Sequence, residues 1–150
     1  MLLKMIALAL IGLSSFTGYA VVAREQISER LTAIDGSAFR QDQTVFRLWG
    51  VDAPPLSAHC SGSGLPWRCG AAARDALQSF IAKHKIECIE RGAKPSGQKT
   101  YVCESGAVGD LAYWLVSNGW AVDNMAETGG IHLNAQWAAQ REQRGVWAEG

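Results

Sequence analysis

The sequence has no excess of either charge: 14 Lys and Arg stand against 14 Asp and Glu. A protein that holds nucleic acid mainly through phosphate contacts usually carries a basic excess, and no segment here forms a basic patch. There is no Cys-x-x-Cys pair, and the three His are scattered. Both facts argue against a zinc site. No apolar run approaches the roughly 20 residues that a membrane-spanning helix needs. Neither an internal repeat nor a low-complexity tail is present.

What the chain does have begins at its start, "MLLKMIALALIGLSSFTGYAVVAREQ". Lys4, an apolar run from Met5 to Leu13 and small residues after it make the three-part pattern of a secretory signal peptide. Cleavage after Ala20 or Ala23 fits the small-residue rule equally well, and a retained anchor is the alternative. Residues 1–23 are therefore expected to be a signal peptide. A single domain over 24–150 follows, about 127 residues, enough for one core. Removing Lys4 leaves 13 basic against 14 acidic residues, a net charge of −1. The expected location is outside the cytoplasm, periplasmic or secreted, with no membrane attachment after cleavage.

All four cysteines, Cys60, Cys69, Cys88 and Cys103, lie beyond that leader. An even count behind an export signal favours disulfides over metal. The stretch "KIECIERGAKPSGQKTYVCES" has two β-prone arms around a turn centred on Pro95-Ser96. Folding it there sets Cys88 opposite Cys103, at a cross-strand distance a disulfide can bridge. Cys60 and Cys69 then pin the irregular "CSGSGLPWRC" loop.

Along the chain, residues 27 to 51 read as strands with a turn at Asp35-Gly36, and 52 to 69 as a loop carrying Pro54, Pro55 and Pro66. From Gly70, Ala73, Leu77, Phe80 and Ile81 recur at helical spacing. After the hairpin, a helix is expected from Leu111 to Asn118, with Asp110 as N-cap and Gly119 as its stop. "WAV" is expected as a short strand. A last helix follows, ending near Gly145, with Trp147 folding back on the core. This order suggests an α+β domain around a small antiparallel sheet or barrel.

The segments "AIDG", "FRLWGVDAP", a "CG"-headed helix, "GQKTYVC", "GDLAYWLVSNGWAV" and a terminal "RGVW" together resemble the thermonuclease family, the staphylococcal-nuclease-like domains. The likeness is greatest to an exported bacterial branch with paired cysteines. It covers about residues 27 to 148 and rests on order and spacing, not on one diagnostic motif. It implies a five-stranded OB-type barrel with three helices, a fold that binds oligonucleotides and similar polymers on one face. It also implies calcium-dependent hydrolysis of DNA and RNA phosphodiesters, with a carboxylate-held metal, a base and two guanidiniums.

Matched residue by residue, that set is incomplete. Arg47 occupies the phosphate-binding place on its strand. Flanked by the apolar Phe46 and Leu48, it is expected to face the site. Asp52 matches a metal-binding Asp, and capping a turn before Ala-Pro explains it equally well. Ser37 stands where the family has its second metal Asp, and a neutral hydroxyl is a weak ligand for calcium. Asp35 matches an Asp close to the metal, although Asp-Gly is also an ordinary turn. Pro55 replaces the Glu base and has neither an ionisable group nor an N–H. No acid lies between Asp52 and Asp75, and His59 is the loop's one titratable candidate. Gln98 replaces the second Arg, and the neighbouring Lys99 is expected to point away.

Of the six tryptophans, Trp114, Trp120 and Trp147 are expected in the core, leaving Trp67 as a ligand-contact candidate by stacking. Three functions remain open. The first is an exported thermonuclease-like binding module with a degenerate catalytic set and little or no nuclease activity. The others are a nuclease of altered chemistry and a protein-interaction module. Calcium is a cofactor only as the resemblance implies it. Nucleic acid and a protein are the candidate partners, and a monomer is expected.

Overall fold

The computed structural model describes residues 25–27, 30–62 and 64–148. The expected signal peptide, 1–23, lies outside the described residues. Strands and helices alternate as an α+β chain: β1 (Glu25–Ile27), β2 (Thr32–Asp35), β3 (Ala38–Gln41), β4 (Thr44–Leu48), β5 (Val51–Asp52), α1 (Cys69–Ile81), β6 (Ile86–Ala93) and β7 (Lys99–Ser105). They are followed by β8 (Gly109–Asp110), α2 (Leu111–Ser117), β9 (Val122–Asp123), α3 (Met125–Thr128), α4 (Leu133–Arg141) and a 3-10 turn at Gly145–Trp147. No helix among the described residues is long and apolar enough to cross a membrane.

The main sheet runs β1-β6-β7-β4-β3-β2, with β8 on β7, and β5 pairs with β9 separately. Its two end strands, β1 and β2, are not paired with each other among the described residues, so no closed barrel is found there. The expectation of five strands and three helices is corrected to nine strands and four α-helices among the described residues. The first strand is in effect two, β1 on β6 and β2 on β3, separated where Arg30 takes a left-handed φ of +41°.

The hairpin forms as its sequence predicts. Cys88 faces Cys103 across β6 and β7, and a hydrogen bond from Lys94 N–H to the Gln98 carbonyl (2.8 Å) closes the turn over Pro95-Ser96. The two disulfides are Cys60–Cys69 and Cys88–Cys103, with Cα separations of 5.6 and 4.1 Å. Such bonds persist in oxidising compartments, which is consistent with export.

Helix α1 forms because Ala73, Leu77, Phe80 and Ile81 fall on one face, and all four are buried. That face packs on β2. Phe39 and Phe46 stack with ring centroids 5.5 Å apart, and Tyr101 tilts onto Phe46 at 4.9 Å. Leu48, Leu77, Ile86, Leu111 and Leu115 complete the fully buried interior, each contributing about 2 kcal/mol by leaving water. In α2 the Asp110 carboxylate accepts from Ala112 N–H at 2.8 Å, so the predicted cap is present.

The C-terminal region departs from expectation. Asn124 caps a short α3 by accepting from Ala126 and Glu127 N–H, and Gly129 and Gly130 follow with φ of +70° and +96°. Helix α4 therefore starts afresh at Leu133 and ends at Arg141, before Gly145. Trp114 and Trp120 pack against the core as expected, and Trp147 folds back beside Gly119, but all three are half-buried and none of the six tryptophans is fully buried. The core is already filled by phenylalanine and aliphatic side chains, which leaves the large indoles at its margin.

Candidate functional site

The β2–β3 turn is built tightly against the rest of the domain. A Cβ on Gly36 would stand 2.7 Å from Ala53 Cβ and 2.8 Å from Ala73 Cβ, so only glycine lets the turn lie against both the loop and α1. The turn places Asp35 and Ser37 beside the middle of the sheet. Strand β4 pairs antiparallel with β3 and parallel with β7, setting Arg47 opposite Ala38 on one side and Thr100 on the other. Phe46 and Leu48 point into the core, and Arg47 is half-buried on the opposite face.

These pairings gather four of the sequence-predicted residues around one guanidinium. Arg47 Nη2 donates to Asp35 Oδ2 at 2.8 Å, Nη1 to Ser37 Oγ at 3.1 Å, and Nε to Gln98 Oε1 at 3.0 Å. The other carboxylate oxygen, Asp35 Oδ1, accepts from Ser37 N–H at 2.8 Å and from its hydroxyl at 3.1 Å. Burial raises the Asp35 pKa, but the hydrogen bonds and charge of Arg47 and the Ser37 donors outweigh it and hold the carboxyl below its ordinary value. The cluster is a clasp in which each nitrogen of the guanidinium has one protein acceptor, using three of its five N–H donors.

The remaining predicted residues stand outside that clasp. Asp52 is exposed, and its Oδ2 accepts from Asn124 Nδ2 at 2.9 Å. Pro55 is exposed too, and its carbonyl accepts from Ala58 N–H. The same carbonyl fits against the start of α1 only because residue 70 is glycine: a Cβ there would be 1.8 Å from the Pro55 oxygen. His59 is exposed, with Nδ1 3.0 Å from the Ser57 carbonyl. Lys99 Nζ pairs with Glu90 at 2.7 Å. Trp67 is half-buried, in a backbone bridge with Cys60 inside the disulfide loop.

The donor set does not fit calcium. A hard cation needs several converging oxygens, yet both Asp35 oxygens are engaged and an Arg47 nitrogen sits 2.8 Å away. Asp52 is held by Asn124, and the Ser37 hydroxyl is neutral. Among the described residues no group of three or more His, Cys, Asp or Glu is arranged to hold a metal ion.

Sequence reasoning overlooked several polar partners. Glu127 Oε2 accepts from Gly50 N–H at 2.7 Å, and its other oxygen pairs with Lys94, so the hairpin turn, the end of β4 and α3 are tied together. Asn124 both caps α3 and engages Asp52. The one local signal for these was an Asn ahead of a short helical stretch.

No family model matches this chain. Over 127 residues it is 29% identical to the succinoglycan biosynthesis protein ExoI of Rhizobium meliloti (strain 1021). The matched stretch covers 83% of this chain and 66% of that relative, just short of two thirds of its length.

Proposed function

We propose that this chain is an exported thermonuclease-like domain of the OB type that no longer hydrolyses phosphodiesters and works by binding, in the handling of a glycan. The observation that carries the first half is the clasp. Ser37 and Gln98, which replace an Asp and an Arg of the family pattern, are the very residues that engage Arg47. The substitutions therefore tie Arg47 into the protein through three of its five N–H donors, and a phosphate that binds it bidentately must compete with these internal acceptors. Pro55 leaves the nearby loop without a base. Removing one charged transition-state group typically lowers a rate by about 10² to 10³, and three are absent. The two disulfides support an exported setting. The similarity to a protein named for succinoglycan biosynthesis supports a glycan as the working context.

The test is incubation of the purified chain with single-stranded DNA and RNA, with and without calcium. The expected result is no cleavage above the buffer control. Calcium-dependent cleavage that disappears in Arg47→Ala would overturn the proposal.

A further inference from the structure

The tryptophans that the core leaves at its margin are gathered together. One groove of about 380 Å³ is lined by Leu65, Trp67, Trp120, Gly145 and Ala148. A second, of about 310 Å³, is walled by Phe80, Trp114 and Trp120, with Lys83 and His84 at its edge. Trp120 lines both, so the two grooves adjoin at its side chain as an aromatic track. Phe80 and Trp114 are tilted together with centroids 4.5 Å apart, and His84 lies 4.4 Å from Phe80. None of these residues belongs to the Arg47 clasp.

Core packing does not account for the far end of the track. Leu65 is 86% exposed on the loop that Cys60–Cys69 closes. The Trp67 indole N–H is buried without a hydrogen-bond partner, whereas buried tryptophans usually find one. The disulfide loop instead holds Leu65 out over the protein surface, with the half-buried Trp67 in the same groove.

Charge decides between occupants. Among the described residues no Asp or Glu lines either groove. Lys83 forms no ion pair among the described residues and makes one end of the track cationic. Nucleic acid presents a phosphate at every nucleotide and calls for a row of cations along the groove, which a single Lys does not supply. A sugar chain has different needs. Its pyranose rings offer C–H faces to the electron-rich faces of indoles, and an occasional carboxylate substituent suits a single cationic end.

We propose that this track is a binding site for an acidic oligosaccharide. Its sugar rings stack on Trp67, Trp120 and Trp114, and a carboxylate lies against Lys83. The proposal rests on the glycan reading above and adds the site and the charge of its ligand.

The experiment titrates the full chain with a hyaluronan hexasaccharide, with neutral cellohexaose and with a thymidine dodecanucleotide, followed by tryptophan fluorescence and calorimetry. The expected result is saturable binding of hyaluronan, weakened about tenfold or more in Trp67→Ala, the loss of one stacking ring. Lys83→Ala is expected to reduce hyaluronan binding to the level of cellohexaose. Trp137→Ala, exposed and outside both grooves, is expected to change nothing. Trp120→Ala also removes packing against the core, so Trp67→Ala and Lys83→Ala carry the test. Glycan binding unchanged in both variants overturns the track and leaves the glycan reading standing. Absence of binding to either glycan overturns both. Binding of the oligonucleotide alone, lost in Trp67→Ala, overturns the sugar as occupant.

Discussion

The Arg47 clasp lies by the first turns of α1, the tryptophan track runs from Trp67, just before that helix, to Phe80 near its end, and the two are satisfied in opposite ways. At one end the turn bearing Asp35 and Ser37 packs on Ala73, and the charged groups there bond to one another. At the other, about 10 Å along α1 from Ala73, Phe80 borders an open groove together with Lys83 and Trp114. A guanidinium whose every nitrogen has an internal acceptor is structural in its resting state. The half-buried Trp67, Trp114 and Trp120 line open grooves among the described residues. On the proposal above, binding is therefore placed away from the Arg47 corner.

Three sets of substitutions probe how independent the two regions are. The largest effect is expected from Gly70→Ala, which places a methyl on the Pro55 carbonyl. The loop that leads into the Cys60–Cys69 strap must then shift, at a cost of about 3 kcal/mol or more, read as a lower urea midpoint. Both regions suffer together, because α1 and that loop support both. Removing the strap alone separates them. Cys60→Ser with Cys69→Ser deletes a loop closure of nine residues, worth about 2.5 kcal/mol in the chain-entropy model. Hyaluronan binding is expected to fall with it, while the acid-dependent stability contributed by Asp35 persists.

The smallest effect isolates the clasp. The Asp35 pKa is lowered in the folded state, so its contribution is complete above the unfolded value, about 4, and is lost as pH falls through the lower folded value. Stability of the native chain measured by urea melts should therefore decline across that acidic window. In Asp35→Asn this part of the decline should vanish, and the variant should be about 1 kcal/mol less stable at neutral pH. Its glycan affinity should equal that of the native chain. An equal loss of glycan affinity would show that the two regions are one site.

Features set by neighbours in the chain are legible in the sequence. The Cys88–Cys103 pairing follows from a turn at Pro95-Ser96, the buried face of α1 from its spacing, and the start of α2 from Asp110. The clasp is legible only in part. Arg47, Asp35, Ser37 and Gln98 can each be singled out, but their bonding depends on a parallel pairing of β4 with β7 across 51 positions of sequence. The same holds for Asp52 and Asn124, which are 72 positions apart. Apolar runs around Trp114 and Trp120 point to the core, yet both indoles lie at its margin. A periodicity shows which side chains avoid water, but not which of them the filled interior leaves at its edge.

The α+β order, the hairpin and its disulfide, and the helical faces are thus contained in the sequence alone. All are local consequences of side-chain period, turn chemistry and residue type. Only the folded chain settles that Ser37 and Gln98 bond to Arg47, and that Trp67, Trp114 and Trp120 line two adjoining grooves. Those outcomes depend on strand register and on how much volume the core can hold, and neither is written in any single segment of the chain.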